Sequence, residues 1–261
     1  MAKLSRPKIS VLLPTFNEQD IIRNCLESVK WADEILVVDS YSTDCTLDIV
    51  REYGARIIQH EYINSAKQKN WAVSQCHYEW VLQIDTDETL EEGAEDEIIS
   101  AISAAPNDIQ AFKLPRKNHF LGRWIKYAGM YPDHQTRLFR RDFGRWQDRE
   151  VHAHVQVPQK VGILQHHFIH HGAPYLTRQL RNIDRYTRYE ADELKKQGEK
   201  FKWNNLLIHP WLIFFYRYVY LKGFLEGWRG FIICVYLAYY SFFSYAKLWE
   251  IETLDLDHSP R

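Results

Sequence analysis

Four short apolar runs, separated by amphipathic stretches, are the feature of this 261-residue chain that most constrains its fold. The runs cover residues 8–14, 34–38, 56–59 and 81–84. Each run has the length of a buried strand, and the stretches between them place apolar residues at helical spacing. Strands that alternate with helices in this way form a mostly parallel sheet with helices on both faces. The sequence therefore predicts an α/β, Rossmann-like fold for the first half of the chain.

Local signals mark the ends of the predicted helices. Asn17 is expected to cap a first helix over about residues 18–30. Ser42 or Thr43 is expected to cap a second helix. Gly54 should end that helix, because glycine readily adopts the left-handed conformation found just after helices.

The pattern changes at about residue 110. Short strand candidates over 111–114, 137–140 and 152–157 alternate with loops rich in Arg, Trp and His. The chain becomes helical again from about residue 175, with an amphipathic stretch over 175–197 and an aromatic-rich stretch over 204–250. We therefore expect a helical, aromatic C-terminal extension after the α/β part.

Composition and cysteine usage narrow the class of protein. Hydrophobic residues make up 46% of the chain and aromatic residues 15%, which excludes a disordered protein. The four cysteines are scattered without a Cys-x-x-Cys pair, which indicates reduced thiols rather than a disulfide framework. The N-terminal residues run directly into the first predicted strand and leave no room for a signal peptide, so we expect a cytosolic protein.

Charge is distributed unevenly along the chain. Residues 1–110 contain 9 Lys/Arg and 20 Asp/Glu, whereas residues 111–261 contain 24 Lys/Arg and 14 Asp/Glu. The basic half, which is also rich in Trp and Tyr, is the part expected to face anionic partners. Ordinary surface charge is the alternative explanation.

The fourth apolar run ends abruptly in carboxylates. Asp85 and Asp87 form an Asp-x-Asp motif, and Glu88 follows directly. Open α/β sheets bind ligands at the carboxyl ends of their strands, where these groups would lie. Carboxylate oxygens suit Mg²⁺ or Mn²⁺, which commonly accompany a substrate diphosphate. The alternative is an ordinary acidic turn.

Several ordered motifs together resemble a known family. The first four are Pro14-Thr-Phe-Asn-Glu18, Val37-Val-Asp-Ser-Tyr-Ser-Thr-Asp44, Gln68-Lys-Asn70 and Asp85-Thr-Asp-Glu88. They resemble the donor half of the GT-A, family 2 glycosyltransferases, and the chain is most similar to the lipopolysaccharide-core β-1,4-glucosyltransferase group. The resemblance continues through Pro115-Arg-Lys-Asn118, Leu121-Gly-Arg-Trp124, Tyr131-Pro-Asp133, Arg137-Leu-Phe-Arg-Arg141, Val151-His152 and Tyr245-Ala-Lys-Leu-Trp249.

The resemblance implies a GT-A fold and an inverting, metal-dependent hexosyltransferase. Such an enzyme moves a hexose, here glucose, from a nucleotide-diphosphate sugar such as UDP-glucose to a lipid-linked or lipopolysaccharide-core glycan. Residues 1–110 would form the donor-binding half, 111–174 the acceptor-side half, and 175–261 a helical, membrane-interfacial segment. Mg²⁺ or Mn²⁺ is the expected cofactor, and no nucleic acid is expected among the partners.

The resemblance also assigns roles to individual residues. The expected donor-binding residues are Pro14, Thr15, Glu18, Asp39, Asp44, Gln68, Lys69, Asp85 and Arg137. Asp39 would bind the base or ribose, or else cap the following turn. Lys69 would reach the diphosphate, or else lie on a solvated helix face. Arg137 would bind phosphate or pair with a carboxylate.

Metal, base and histidine roles complete the expected site. Asp87 is expected to ligate the metal, with Asp85 beside it. Inverting transfer needs a carboxylate that accepts the acceptor's proton, and Asp133 is the first candidate and Glu88 the second. Asp133 could instead belong to a simple Pro-Asp turn.

Six histidines between residues 152 and 171 invite a zinc interpretation, but strand alternation would place their rings on both faces of the sheet. The resemblance marks His152 and His170 as contacts to the acceptor or diphosphate. The chain departs from the family at Tyr41, where glycine is usual, and at Ala153, where glutamate is usual.

The aromatic C-terminal segment is expected to lie on an anionic membrane, which would place the protein at the inner face of the cytoplasmic membrane. Its longest uncharged run, Phe231–Ala246, has 16 residues, fewer than the ~20 that span a bilayer. A second packing layer or a dimer surface is the alternative for this segment.

Two other functional classes remain open at this point. A nucleotidyltransferase also combines an α/β sheet with acidic metal ligands, but it would carry a Gly-rich, basic phosphate loop after the first strand, where this chain has Thr-Phe-Asn-Glu. A non-catalytic membrane assembly protein would not need the Asp85 and Asp87 pair, and donor hydrolysis would distinguish it from an enzyme.

Overall fold

The computed structural model describes residues 6–147, 154–172 and 176–254. These residues form two compact units. The sheet unit contains residues 6–117, 132–147 and 154–172. The helical unit contains residues 118–131 and 176–254.

The first half of the chain alternates strands and helices, as predicted. Its elements are β1 (Ile9–Thr15), α1 (Ile22–Val29), β2 (Glu34–Asp39), α2 (Thr46–Glu52), β3 (Arg56–Gln59), α3 (Ser65–Val73), β4 (Trp80–Gln83), β5 (Glu88–Leu90) and α4 (Ala94–Ala104). The strands that follow are β6 (Ile109–Phe120), β7 (Arg123–Trp124), β8 (Asp133–Arg140), β9 (Arg145–Trp146), β10 (Val155–Gln156), β11 (Lys160–Ile163) and β12 (Phe168–His170).

The sheet has the neighbour order β3-β2-β1-β4-β8-β6-β12-β5. The first four strands of this order are parallel, β8 is antiparallel to both of its neighbours, and β12 is antiparallel to β5. The α/β fold class is therefore confirmed, with four parallel strands followed by mostly antiparallel ones. Strands β5 and β12 and helix α4 were not anticipated from the sequence.

Helices cover both faces of this sheet, because successive residues of each strand point to opposite sides. Val11 and Leu13 of β1 pack with Leu26 of α1 in one buried cluster. Leu12 packs in the other cluster with Val73 of α3. Helix α1 buries Ile22, Cys25, Leu26 and Val29, whose spacing places them on one face of the helix.

The predicted cap at Asn17 is wrong. Helix α1 begins at Ile22 and has no side-chain cap, and Asn17 instead adopts a positive φ of 52° in the loop after β1. Its Oδ1 accepts a hydrogen bond from the Thr43 amide at 2.8 Å, and its own amide donates to Ser42 Oγ at 2.9 Å. Asn17 therefore joins the loops after β1 and β2 rather than starting a helix.

The second predicted cap is also wrong. Ser42 hydrogen-bonds to Asp39, and α2 begins only at Thr46, whose amide donates to Asp44 Oδ1 at 3.0 Å. A helix-capping signal and a loop-closing signal use the same residue types, which explains the error. Gly54 does follow the end of α2, with a φ of 64°, as predicted.

The helical unit is dominated by one long helix. Its elements are α5 (Leu176–Lys196), α6 (Trp203–Leu207), α7 (His209–Phe215), a π-helical turn (Tyr216–Tyr220), a 3₁₀ turn (Gly223–Glu226) and α8 (Trp228–Thr253). Helix α8 buries a stripe at helical spacing that includes Ile233, Cys234, Ser241 and Leu248. Part of this stripe packs against Phe120 and Ile125 of the segment 118–131, which contains the end of β6, all of β7 and the loop that follows, and another part packs against α5.

The segment before α8 exposes apolar side chains at a regular spacing. We define the aromatic surface as the exposed side chains of Leu207, Ile208, Trp211, Leu212, Phe215, Tyr216, Val219 and Tyr220. These residues form pairs that recur every four positions, so they occupy one face of the α6, α7 and π-helical segment. The opposite side of this segment contains Phe214 and Tyr218, which pack in the cluster around Ile233.

Among the described residues, α8 is the one helix whose length and composition would let it cross a membrane. Its most apolar 18-residue window has a mean hydropathy of 1.4, and 28% of that window is buried. The helix is longer than the uncharged run Phe231–Ala246 because it also includes charged residues such as Arg229, Lys247 and Glu250.

Candidate functional site

The predicted site residues of the sheet unit meet where β1, β2 and β4 end. Thr15 and Asp39 are the last residues of β1 and β2 and lie opposite each other in register. Asp85 follows the end of β4 by two residues. Because β8 runs antiparallel to β4, its first residue, Asp133, starts at the same edge, and Arg116 of β6 lies opposite Asp133.

Asp85 is held between two buried cations. Lys69 Nζ lies 2.8 Å from Asp85 Oδ1, and Arg137 Nη2 lies 3.0 Å from Oδ2. Burial would raise the pKa of Asp85, but Lys69 and Arg137 outweigh burial and hold the carboxyl pKa well below its usual range. Lys69 is 8% exposed, so it does not lie on a solvated helix face.

Arg137 connects this pair to the next carboxylate. Its Nη2 lies 3.0 Å from Glu88 Oε1, and its Nη1 donates to the Gln83 amide oxygen. Burial would lower the pKa of Arg137, but Glu88 and Asp85 raise it. Of the two predicted roles for Arg137, the structure displays pairing with carboxylates.

Gln83 is a site residue that no sequence motif indicated. It is fully buried at the end of β4, and its Nε2 donates to Asp85 Oδ1 at 2.8 Å. The signal was present in the sequence as a single amide side chain in an otherwise apolar run. A buried amide needs partners, and here it finds them in Asp85 and Arg137.

Glu88 is a buried carboxylate that holds other groups of the site in place. Its side chain is 1% exposed, and Oε1 contacts both Arg137, at 3.0 Å, and Arg116, at 3.3 Å. Its Oε2 accepts a hydrogen bond from the Asp85 amide at 3.1 Å. Because its side chain is almost completely buried, Glu88 is poorly placed to reach a substrate hydroxyl and accept its proton.

Asp133 is more accessible, with 26% of its side chain exposed. Arg116 contacts its Oδ2 through Nη2 at 2.7 Å and Nε at 2.9 Å, and Gln135 donates to its Oδ1 at 2.5 Å. Asp133 is the first residue of β8, which rules out the interpretation as a simple Pro-Asp turn. Arg116, which links Asp133 to Glu88, is a second site residue that was not predicted, although it lies in the Pro115-Arg-Lys-Asn118 motif.

Asp87 pairs with His170, one of the two histidines that the resemblance singled out. The contact joins Asp87 Oδ2 to His170 Nε2 at 3.2 Å, and 38% and 29% of the two side chains are exposed. Burial would raise the pKa of Asp87, but His170 lowers it. Burial would lower the pKa of His170, but Asp87 raises it. Strands β5 and β12 bring the two together, because Glu88 lies opposite His170 in their ladder.

Asp87 and His170 supply some, but not all, of the ligands that a divalent cation needs. Within the described ranges, no group of three or more His, Cys, Asp or Glu side chains is arranged to hold a metal. One carboxylate and one imidazole suit Mn²⁺ and, less well, Mg²⁺, and substrate phosphate oxygens commonly complete such a site. Asp85 is less suited as a direct ligand, because each of its oxygens already contacts a cation.

The Asp39 carboxylate is fully buried at the end of β2. Both of its oxygens accept hydrogen bonds from the Ser42 amide at 3.1 Å, and Gln59 Nε2 donates to Oδ2 at 2.9 Å. The turn-holding role is therefore the one that the structure displays. Contact with a base or ribose stays a prediction and would require one of these bonds to exchange.

Three consecutive residues of α3 attach that helix to different parts of the site. Gln68 Nε2 donates to Ser40 Oγ at 2.7 Å, and Lys69 contacts Asp85. The Asn70 side chain exchanges two hydrogen bonds with the backbone of Trp146, at 2.8 Å and 2.9 Å. The Gln68-Lys-Asn70 motif therefore positions the loops after β2 and β4.

The loops after β1 and β2 hold the remaining predicted donor residues. Asp44 accepts hydrogen bonds from the amides of Thr46 and Gln19. Burial would raise its pKa, but these hydrogen bonds outweigh burial and lower it. The Glu18 amide donates to Thr46 Oγ1 at 2.8 Å, and Thr15 Oγ1 is buried without a hydrogen-bond partner in the described part of the chain.

Four further positions that the sequence singled out have different outcomes. Pro14 lies within β1, opposite Val38, one residue before the loop. His152 and Ala153 lie outside the described residues. Tyr41 has a positive φ of 63°, and its side chain is 56% exposed.

Comparison with known proteins decides the family. The glycosyl transferase family 2 model matches residues 10–172. The chain belongs to this family. The family 2 resemblance expected from the motifs is confirmed, and the match covers the sheet unit that carries the carboxylate cluster.

Two proteins that match nearly the whole chain are also glycosyltransferases. The lipopolysaccharide core biosynthesis glycosyltransferase LpsC of Rhizobium meliloti is 27% identical over 94% of this chain and 93% of that protein. An uncharacterized glycosyltransferase of Rickettsia typhi is 29% identical over 94% of this chain and 87% of that protein.

A solved structure supports the GT-A-like fold. The glucosyl-3-phosphoglycerate synthase of Mycobacterium tuberculosis, in complex with Mn²⁺, UDP and phosphoglyceric acid, matches with a TM-score of 0.51 at 16% identity. The match covers 74% of this chain and 79% of that one.

Proposed function

We propose that this family 2 glycosyltransferase uses UDP-glucose as its donor and transfers the hexose, with inversion, to a lipid-linked or lipopolysaccharide-core glycan. The observation that carries the proposal is the Asp87 and His170 pair beside Asp85, itself held by Lys69 and Arg137. This group lies at the carboxyl edge of a parallel sheet, the place where such sheets bind nucleotides.

Asp87 and His170 would hold the divalent cation. When it is bound, Mg²⁺ or Mn²⁺ neutralises the charge of the departing nucleoside diphosphate. Asp85 would keep Lys69 and Arg137 in place beside that diphosphate. The network from Gln83 through Arg137 to Glu88 would keep these groups fixed before the donor binds, which limits the cost of ordering them on binding.

Asp133 would act as the general base. The acceptor hydroxyl oxygen attacks the anomeric carbon, the bond from that carbon to the diphosphate oxygen breaks, and the hydroxyl proton passes to the Asp133 carboxylate. Arg116 and Gln135 hold this carboxylate by its two oxygens and so fix its orientation. Glu88 is buried beneath both arginines and fits a positioning role.

Relatives support the finer parts of the proposal. LpsC is named as a lipopolysaccharide core biosynthesis enzyme, and that name supports a core glycan as the acceptor class. The mycobacterial synthase binds Mn²⁺ and UDP, which supports testing that pair here. Family membership favours glycosyl transfer over nucleotidyl transfer.

Calorimetric titration with a panel of nucleotide sugars tests the donor and the metal together. The panel contains UDP-glucose, UDP-N-acetylglucosamine, UDP-galactose and GDP-mannose, each titrated with Mn²⁺ and with a chelator. We expect UDP-glucose to bind best, with affinity at least about tenfold weaker in the chelator, equivalent to about 1.4 kcal/mol. Equal affinity without metal would overturn metal dependence, and preference for another sugar would overturn the glucose assignment.

A charge-neutral substitution localises the metal effect. Asp87→Asn keeps the side-chain shape and should remove the affinity gained with Mn²⁺. Asp48→Asn is the matched control, because Asp48 is 74% exposed and pairs only locally with Arg51 at 2.6 Å. If Asp87→Asn retained the full Mn²⁺ effect, Asp87 would not be a ligand.

A further inference from the structure

We infer that the aromatic surface of the helical unit is a docking site for an anionic lipid bilayer, on which the unit lies without crossing it. This inference does not depend on the donor or acceptor proposed above. It rests on the exposed apolar stripe, on the charges around it and on the contacts of α8.

The stripe is unusual because the segment that carries it is apolar on both sides. Phe214 and Tyr218 face inward and stack at 5.3 Å in the cluster around Ile233. Trp211 and Tyr220 face outward and are 65% and 73% exposed. Apolar residues at helical spacing normally face a protein core, so an exposed stripe of this kind marks a surface that another phase or partner covers.

The exposed face continues beyond the stripe. Phe224, Leu225 and Trp228 are 48%, 51% and 57% exposed. Tryptophan and tyrosine favour the boundary between lipid headgroups and acyl chains, where an apolar ring and a polar edge are both satisfied. This mixture suits an interfacial site better than a site in the hydrocarbon core.

Exposed charges in the two segments that carry and adjoin the surface, residues 203–242 and 118–131, are all basic. Residues 203–242 contain a single acid, Glu226, which is 5% exposed and accepts hydrogen bonds from the amides of Lys126 and Tyr127. Residues 118–131 contain no acid, but they do contain Arg123 and Lys126. The Ala128 amide donates to the Leu221 carbonyl at 2.9 Å, which holds this basic loop beside Lys222.

This charge pattern favours anionic lipid over a second copy of the chain. A two-fold dimer would place the same basic surface against itself, and like charges at an interface are unfavourable. An anionic bilayer surface instead attracts each exposed Lys or Arg. Arg123, Lys126 and Lys222 all have exposed side chains.

Contacts of α8 favour docking over crossing. Lys247 lies 2.7 Å from Asp184 of α5, and Arg188 of α5 lies 3.6 Å from Glu250. The Tyr240 hydroxyl also donates to a carbonyl of α5, that of Tyr186, at 3.3 Å. Moving α8 into hydrocarbon would take these charged groups with it or break their contacts, and either is costly.

Vesicle flotation with the full chain tests this surface. Vesicles of phosphatidylcholine with phosphatidylglycerol are compared with pure phosphatidylcholine at low and high salt. We expect binding to the anionic vesicles, weaker in high salt because ions screen the basic groups. Failure of the wild-type protein to float with anionic vesicles would overturn the inference.

Two sets of substitutions separate the apolar and ionic contributions to vesicle binding. Trp211→Ser with Tyr220→Ser and Trp228→Ser should weaken binding about 100-fold, because three half-exposed rings lose their lipid contact. Arg123→Gln with Lys126→Gln and Lys222→Gln should weaken binding to anionic vesicles by about fivefold for each charge.

Phe143→Ser with Ile163→Ser is the matched control. It removes apolar side chains that are 39% and 61% exposed, but they lie in the sheet unit. This control should bind vesicles as the wild type does, and thermal unfolding measured on every variant reports whether both units are folded.

Three results would overturn the inference even if the protein binds vesicles. Unchanged binding by the aromatic triple variant would place the contact elsewhere. Resistance to alkaline carbonate extraction would mean that the chain crosses the bilayer. Concentration-dependent dimers that the triple variant abolishes would assign the surface to a second copy.

Discussion

At the scale of single residues, the site is held together by two arginines that each pair with two carboxylates. Arg116 contacts Asp133 and Glu88, and Arg137 contacts Asp85 and Glu88. Each arginine is therefore neutralised by two carboxylates, and for the buried Arg137 this offsets the large cost of burying an isolated charge. Among the three partner carboxylates, Asp133 is second in exposure, at 26% against 34% for Asp85. It lies at the start of β8, where an acceptor could approach.

Asp133→Asn tests the base at this scale. The amide keeps the size of the side chain but cannot accept the proton, so transfer should fall by about two or more orders of magnitude, the usual effect of losing a general base. Donor affinity should stay within about twofold of the wild type, measured by UDP-glucose titration beside a transfer assay. Loss of donor affinity with little further loss of turnover would make Asp133 a binding residue.

Tyr41 combines a bulky side chain with a backbone conformation that such residues rarely adopt. A bulky residue at a φ of 63° costs about 1–2 kcal/mol, and such strain persists mainly where a site uses it. Tyr41→Gly should raise the free energy of unfolding by about 0.5–1 kcal/mol. It should also weaken UDP binding about tenfold, about 1.4 kcal/mol, if the exposed ring contacts the base.

Two further variants at this position act as controls. Tyr41→Phe retains the ring and should bind UDP normally, whereas Tyr41→Asn tolerates the left-handed conformation but lacks the ring. Thermal unfolding and UDP titration are measured on all three. A stabilised Tyr41→Gly protein with normal UDP affinity would show that the ring has no part in donor binding.

At the scale of elements, the pairing of β5 with β12 decides whether Asp87 and His170 meet. Carboxylates at both sides of these strands hold the segment 165–171. Glu91 contacts the His167 ring at 2.7 Å and also the ammonium of Lys117, and Glu97 contacts His166 at 2.7 Å. The histidine-rich run is therefore divided among separate carboxylates, and it fixes β12 in place.

The substitution Glu91→Gln tests whether the contacts of Glu91 with Lys117 and His167 stabilise the fold in a pH-dependent way. Burial would raise the pKa of Glu91, but Lys117 and His167 lower it from 4.5 to about 2. Because the folded pKa is depressed, the stabilisation is present above about pH 4.5 and is lost as the pH falls toward 2. After allowance for solvent screening we expect a contribution of about 1 kcal/mol at pH 7.

The measurement is the free energy of unfolding as a function of pH. Glu91→Gln should lower it at pH 7 and flatten its dependence between about pH 4.5 and 2. Glu92→Gln, at the neighbouring exposed position, should leave the profile unchanged. If the unfolding free energy of Glu91→Gln kept the full wild-type dependence on pH, the contacts of Glu91 would not contribute to stability.

The elements also show why the sequence predicted some parts of the structure and not others. Strands β1 to β4 are apolar runs that end at polar residues, so periodicity identified them together with Asp39 and Asp85. Strands β5 and β12 have only three residues each and pair across about eighty positions, so no local pattern reveals them. The family resemblance marked Asp87 and His170 separately, but neither it nor periodicity predicted that the two side chains are in contact.

At the scale of the whole molecule, the chain divides into two units with separate cores. The clusters around Leu26 and Leu12 lie in the sheet unit, and those around Ile233 and Leu248 lie in the helical unit. The sequence suggested divisions near residues 110 and 174, but segment 118–131 packs with the helical unit, because Glu226 and the Leu221 carbonyl satisfy its amides. A contact of this kind joins positions about a hundred residues apart and leaves no local signal in the sequence.

Separate cores predict two unfolding transitions in calorimetry, since cooperative units that do not share a core can unfold independently. Leu26→Ala and Ile233→Ala remove buried side chains that are 0% and 4% exposed, at a cost of about 2–5 kcal/mol each. We expect each substitution to lower a different transition. UDP with Mn²⁺ should raise only the transition that Leu26→Ala lowers, because a ligand stabilises the unit that binds it. A single transition that both substitutions lower and that UDP with Mn²⁺ raises as a whole would show that the two cores unfold together.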